Sequence, residues 1–405
     1  MTTPSTSTVS VRRHTTSERI VTALLSRLAV GKLALRDANG SVAVFEGRRP
    51  GPLAEVTLID PGAARRIVMS GSIGLAEGYI YGEWDTPDLS AVLDLGMANI
   101  QSCALDRLPT PLQPVQRAWH RLRANTRNGA RRNVAHHYDL GNDFYRLWLD
   151  DTMTYSSALF SKTSESTTED LSEAQQRKWD RLLELLQPST RDHLLEIGCG
   201  WGGFAMHVAQ EAGCRVTAIT LSEEQRDLAA RRVADAGLDG RVEIRLQDYR
   251  DVSEVYTGIA SIEMFEAVGE QYWPLFFRCL RDLVAAGGRI AMQTITICEE
   301  SFDAYRARPD FTQRYIFPGG MLPSPERFRK AAEGQGLSVA EPQFFGQSYA
   351  CTLEKWLERF DSVRDQVLAM GFDERFLRMW RYYLAYCRTG FRSGNIDVMQ
   401  VALER

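Results

Sequence analysis

The sequence predicts an α/β fold: a mostly parallel sheet covered by helices on both faces, preceded by a smaller α+β domain. Three observations carry this. From residue 171 onward, short apolar runs alternate with helical patterns. A glycine-rich turn follows the first of those runs, as at the ligand-binding strand ends of open α/β sheets. Ahead of it lies a block of short alternating segments and turn signals, and 405 residues are too many for one ordinary core.

The elements follow in chain order. Residues 1–18 are rich in Thr and Ser, lack the apolar stretch of a secretory signal, and read as a disordered tail. Residues 19–105 form the N-terminal domain. Within it, 30–56 alternates apolar segments with turns such as Asn39-Gly40, which suggests small strands and hairpins. A glycine-rich turn and an aromatic segment occupy 71–88, and 89–100 is helical in pattern. Between Asp106 and Asp139 there is no acidic residue, but there are Arg107, Arg117, Arg121, Arg123, Arg127, Arg131 and Arg132, with Trp119 among them. This basic stretch, 106–134, reads either as a surface-lying membrane segment or as a solvated linker. The third block, 135–405, carries a polar helix at 171–186 and strands at 194–197, 215–220, 242–246, 259–264 and 289–294. Helices are expected at 204–210, 223–236 and 272–284.

Composition narrows the function. A formal net charge of -4 disfavours a nucleic-acid binder that works by bulk positive charge. No apolar run reaches the ~18 residues needed to span a bilayer. The seven cysteines are scattered without CxxC pairs, as expected of reduced thiols in a cytosolic protein. No metal site is expected, because His136 and His137 have no ligand partners at the right spacing.

The strongest local signal is Leu195-Glu196-Ile197-Gly198-Cys199-Gly200-Trp201-Gly202-Gly203, an apolar strand running into a glycine-rich turn and then a helix. Its spacing is neither that of a dinucleotide fingerprint nor that of a phosphate loop. Glu196 ahead of the glycines suits the turn that holds the methionine part of S-adenosylmethionine. The second strand lacks the acid that commonly binds the ribose, which leaves Thr220 and Gln225 for the sugar. Asp248 either accepts from an adenine amino group or caps a turn, and Tyr249 borders the ring.

Eight motifs in order resemble the cyclopropane-fatty-acyl-phospholipid synthase family, which includes the mycolic acid cyclopropane synthases. They are Gly71 to Tyr79, His137-Tyr138-Asp139 to Tyr145, Tyr155-Ser156-Ser157-Ala158, Gly198 to Gly203, Leu246 to Asp251, Met264-Phe265-Glu266, Tyr315 to Gly320, and Tyr382 to Arg392. The resemblance implies a Rossmann-like methyltransferase domain and a membrane-associating N-terminal domain. It implies S-adenosylmethionine held by Tyr138, Tyr155, Ser156, Gly198, Gly200, Thr220 and Gln225, with an acyl-chain-binding insertion at 299–330. The aromatic residues of that insertion either line an apolar tunnel or simply fill the core. It further implies unsaturated phospholipid as substrate, peripheral binding at the inner face of the membrane from the cytoplasm, and a homodimer.

In that family the base is a bound bicarbonate with ligands at five motif positions. Here Glu266, Ile295 and Tyr349 match, whereas Ser157 stands where Cys is usual and Gln293 where His is usual. Ser and Gln still donate hydrogen bonds, but Gln carries no positive charge. The expectation is therefore a weakened anion site, with methyl transfer retained and ring closure in question. Glu266 would be an anion ligand or the direct base, or else a buried hydrogen-bonded Glu. The competing readings are a carrier-bound or soluble acyl substrate and a non-catalytic lipid-binding homologue.

Overall fold

A computed structural model describes residues 15–103, 129, 140–163 and 168–405, and the chain divides into two compact units at Leu112/Gln113. The basic stretch 106–134 (Gly129 apart) and Tyr138 fall outside the described residues.

In the N-terminal unit the sheet order is β2-β1-β3-β4. Strand β1 (Val30–Arg36) pairs antiparallel with β2 (Val42–Glu46) across the Asn39-Gly40 turn. It pairs in parallel with β3 (Arg49–Leu58), and β4 (Trp84–Asp85) closes the edge. Helix α1 (Thr16–Leu25) begins inside the stretch expected to be a tail. Thr15 and Glu18 form a reciprocal capping box that satisfies its first amides. The segment 71–80, read from sequence as a turn and an aromatic run, is instead mostly helical. Helix α2 (Gly62–Ser70) and α3 (Ser72–Ile80) meet at Gly71, and a Cβ at Gly74 would lie 2.2 Å from the Arg66 carbonyl oxygen. Gly74 thus serves helix-helix contact, and a Cβ at Gly78 would meet the Trp84 ring at 2.9 Å. Helix α4 (Leu89–Ala98) follows, and Leu95 joins Leu33 and Ala54 in a small core.

The second unit is the expected α/β sheet. Its strands run β10-β12-β9-β8-β5-β6-β7, with β11 (Gln343–Phe344) also pairing to β12. Strands β5 (His193–Ile197), β6 (Arg215–Thr220), β7 (Val242–Leu246), β8 (Tyr256–Ile262) and β9 (Val284–Ile297) are parallel. Strand β12 (Ile396–Glu404), absent from the sequence reading, inserts antiparallel between β9 and β10 (Ser338–Val339). One face is covered by α6 (Leu171–Leu186) and α7 (Gly203–Glu211), which follow the short α5 (Asn142–Arg146). Trp179, Leu182, Phe204 and Val208 fill the core there. Helix α8 (Glu223–Asp235) flanks β6 and β7. The other face carries α9 (Trp273–Leu283), whose Trp273, Phe276, Phe277 and Leu280 recur at helical spacing and are all buried. Each such side chain contributes about 1.5–3 kcal/mol by leaving water.

Chain order reverses at β5. The chain moves outward through β6 and β7, then crosses back to β8. Ligand crevices form at such a switch point, beyond the carboxyl end of the strand.

Candidate active site

The glycine loop lies at that switch point. Gly198, Gly200 and Gly202 have φ of +86°, +53° and +81°, conformations that L side chains rarely adopt. A Cβ at Gly198 would lie 2.8 Å from Met264 Cγ, whereas one at Gly200 would meet nothing within 4 Å among the described residues. Glu196 is buried beneath the loop. Burial pushes its carboxyl up to about 8, and among the described residues its Oε2 has no hydrogen-bond partner. Open space at Gly200 and an unspent buried acceptor fit the cationic methionine end of S-adenosylmethionine. At the end of β6 the Thr220 hydroxyl donates to Gln225 Oε1 (2.8 Å), and Ser222 caps α8 through the Gln225 N–H. Asp248 is buried. It caps the turn Tyr249–Asp251 and pairs with Arg250 (Nη2 to Oδ2, 2.6 Å). Tyr249 packs edge-on against Phe276.

Tyr155 stands in an aromatic wall, with ring centroids 5.4–5.5 Å from those of Tyr145, Trp148 and Trp356. Its hydroxyl shares a 2.7 Å hydrogen bond with Tyr383. Ser156 accepts from the Nζ of Lys178 (2.7 Å), a lysine fully buried on α6.

Ser157, Gln293 and Tyr349 converge, but on a residue that sequence reasoning missed. The Ser157 N–H donates to Glu263 Oε1 (2.8 Å), Gln293 Nε2 donates to the same oxygen (2.6 Å), and the Tyr349 hydroxyl donates to Oε2 (2.6 Å). Glu263 follows β8 directly and has φ +48°, left-handed backbone held by its own N–H to the Gln293 carbonyl (2.8 Å). Glu266, on the next turn, takes its own donors: the Thr294 hydroxyl (2.9 Å) and the Ile295 N–H both reach Oε1. Among the described residues its Oε2 is buried without a partner. Gln400 of β12 completes the network by donating to Gln293 Oε1 (2.9 Å) and to the Lys178 carbonyl (3.2 Å).

The electrostatics separate the two carboxylates. Burial, then the neighbouring Glu263, push Glu266 up to about 8. Burial raises Glu263 as well, but the Tyr349 hydroxyl, the charge of Lys178, the Ser157 amide and the Gln293 amide all favour its ionised form. Burial brings Lys178 down to about 8 against the opposing pull of Glu263, Asp150 and Glu196. The environments of the pair thus differ: three donors and a nearby cation favour the ionised form of Glu263, whereas Glu266 is held up by burial and by the carboxylate beside it. This arrangement does not fit a bicarbonate. Among the described residues, the donors of Ser157, Gln293, Ile295 and Tyr349 are already taken by Glu263 and Glu266. A further anion would have to displace Glu263 from these donors.

The stretch 299–330 contains α10 (Glu299–Ala307), α11 (Phe311–Tyr315) and the start of α12 (Pro325–Glu333). Phe302, Met321 and Phe328 belong to the core beneath the sheet, and Phe311 packs on Tyr382. The Met321 N–H donates to the Glu266 carbonyl (2.8 Å), which ties this stretch to the carboxylate pair. Tyr349 lies on α13 (Gly346–Ser362) and stacks on Phe391 of α15 (Glu374–Arg392), with centroids 4.2 Å apart; the short α14 (Arg364–Ala369) connects the two helices.

A family model described as mycolic acid cyclopropane synthetase matches residues 125–401. A tuberculostearic acid methyltransferase of Mycobacterium tuberculosis is 43% identical over 349 residues, covering 84% of this chain and 81% of that protein. A cyclopropane-fatty-acyl-phospholipid synthase of Escherichia coli is 32% identical over 393 residues, covering 96% and 93% respectively. Among solved structures, a mycolic acid cyclopropane synthase complexed with SAH and CTAB is similar at a TM-score of 0.63 and 32% identity, covering 68% of this chain and 98% of that one.

Proposed function

We propose, for a chain that belongs to the mycolic acid cyclopropane synthetase family, that it methylates a double bond of an unsaturated acyl chain in membrane phospholipid and leaves a branched, uncyclised product. Members of this family methylate or cyclopropanate fatty acyl chains, and S-adenosylmethionine supplies the electrophilic methyl group. The finer reading rests on one observation: the bicarbonate donors of the resemblance are turned onto a side-chain carboxylate. A relative named for methylation rather than cyclopropanation, 43% identical, supports the same product class.

The chain's residues then divide the work. The loop Gly198–Gly203 with Glu196, Thr220 and Gln225 binds the cofactor, and Tyr138, Ser156, Asp248 and Tyr249 complete its site. The wall of Tyr155, Trp148 and Trp356 keeps water from the reacting atoms and offers π faces to the cation that follows methyl addition. Glu263 and Glu266, backed by Tyr349 and Gln293, provide the carboxylates that handle the departing proton. Phospholipid as substrate is supported by the relative named for it, which this chain matches over 96% of its length. Peripheral docking at the inner membrane face is supported by the arginines of 106–134, since each basic residue near an anionic leaflet contributes about 1 kcal/mol. Among the described residues no helix is long and apolar enough to cross a membrane.

The test is to incubate the protein with labelled S-adenosylmethionine and vesicles of monounsaturated phospholipid, then identify the fatty acids by NMR. A methyl or methylene signal on the chain is the expected result. A cyclopropane signal overturns the product, and label on free or carrier-bound acyl chains alone overturns the phospholipid substrate.

A further inference from the structure

Glu263 has an unusual position. It adopts left-handed backbone without being glycine, a conformation that costs on the order of 1–3 kcal/mol and persists where the surroundings over-determine it. Its surroundings do so. Its amide is bonded to Gln293, and its carboxylate receives three separate donors. All three come from positions that the resemblance assigns to bicarbonate. The fourth, the Ile295 N–H, is held by Glu266. The buried cation Lys178 bonds Ser156 rather than Glu263, so Glu263 is not simply its direct ion-pair partner.

We propose that Glu263 is a built-in replacement for the exchangeable bicarbonate: its carboxylate takes the proton lost after methyl addition, and the enzyme needs no bicarbonate. This rests on the acyl methylation reading above. As the carbon–sulfur bond breaks, with sulfur keeping that pair, the π pair of the alkene forms the new carbon–carbon bond. The neighbouring chain carbon becomes cationic. Glu263 removes a proton from a carbon beside the cation, and that carbon–hydrogen pair becomes the new double bond. Glu263 ends as a neutral acid and returns its proton to solvent.

The test uses the full chain in carbonate-free buffer under argon. The wild type should transfer labelled methyl to monounsaturated phospholipid vesicles at the same rate with or without added bicarbonate. Glu263→Gln keeps the shape and loses the base, so transfer should fall by about 10²–10⁴-fold, with S-adenosylmethionine affinity unchanged. Glu263→Gly suits the left-handed backbone and opens a hole. It should lose activity similarly and recover it, saturably, with formate or bicarbonate. A wild type that needs bicarbonate, or a Glu263→Gln variant at wild-type rate, overturns the proposal. Titration with ¹³C-bicarbonate, followed by NMR line broadening, is independent of turnover. No binding to the wild type but saturable binding to Glu263→Gly supports the proposal, and saturable binding to the wild type overturns it. If the wild type methylates no lipid, the acyl methylation reading fails, and the titration still decides whether Glu263 fills the anion site.

Discussion

Gln400 donates through Nε2 to Gln293 Oε1 (2.9 Å), and this contact determines which end of the Gln293 amide faces Glu263. The two glutamines are cross-strand partners of β12 and β9, so the orientation is set by sheet register. Gln400→Leu frees the Gln293 amide to turn its oxygen toward a carboxylate. Loss of a buried donor costs about 1–3 kcal/mol. Methyl transfer should fall roughly tenfold, the factor that 1.4 kcal/mol represents, with a lower urea midpoint. An unchanged rate would show that Gln293 orientation is irrelevant.

Tyr349 offers a cleaner deletion. Its ring stacks on Phe391 at 4.2 Å, so Tyr349→Phe keeps the packing and removes only the donor to Glu263. A hydrogen bond to a charged group contributes about 1.5–3 kcal/mol, so the rate should drop by about 10–100-fold while the melting temperature falls by only several degrees. A large loss of stability would assign Tyr349 to the core instead.

Glu266 should leave a mark on stability against pH. Its folded value, about 8, lies above the ordinary carboxylate value of 4.5. Between those limits the native state holds a proton that the unfolded chain has released, so stability falls as pH rises through the window. Glu266→Gln removes that titration and should flatten the decline between about pH 5 and 8 by on the order of 2–4 kcal/mol. Glu196, also raised to about 8, and Glu263, raised by burial, keep the remaining slope. Urea unfolding at three pH values checks this, and parallel profiles would refute it.

Gly198→Ala should damage cofactor binding through the loop. The substitution meets φ +86° and a Cβ contact of 2.8 Å to Met264. Calorimetry should show S-adenosylmethionine affinity reduced at least tenfold. Unimpaired binding would place the cofactor elsewhere.

Docking through charge is tested by replacing Arg117, Arg121 and Arg123 with Glu. Co-sedimentation with anionic phospholipid vesicles at low salt should weaken, with methyl transfer to detergent-dispersed lipid retained. Equal sedimentation would remove the basic stretch from the membrane reading.

The sheet, its parallel strands and the glycine loop were legible in the sequence because periodicity and glycine spacing are local. Ser157, Gln293 and Tyr349, singled out in the sequence, come together in the structure, but the partner they share was not foreseen. Residue 263 reads as the penultimate residue of a strand, and the pattern carries no sign that the backbone turns left-handed there. A carboxylate at a strand end, three residues before Glu266, was the available signal. Lys178 had a clearer one: it shares a helical face with Leu171, Gln175 and Leu182, all buried, so a lysine on that stripe implied burial. Strand β12 was missed because its main partner, β9, precedes it by some hundred residues in the chain, and only pairing with β9 gives it a face. In the N-terminal unit, the helix over 72–80 was hidden by glycines that serve close packing rather than a turn.

The place of Gln400 in β12 bears on how the protein is made. Ser157, Lys178, Glu263 and Gln293 all emerge from the ribosome before the strand that finishes their network. At roughly 5–20 residues per second, tens of seconds separate the first of them from Gln400. From the emergence of β9 until that of β12 the nascent domain exposes β9 as an unpaired edge, and it cannot yet bury its lysine among satisfied neighbours. Chaperone dependence during synthesis should therefore concentrate on this interval, and refolding of the complete chain should show catalytic competence and burial of β9 arriving together.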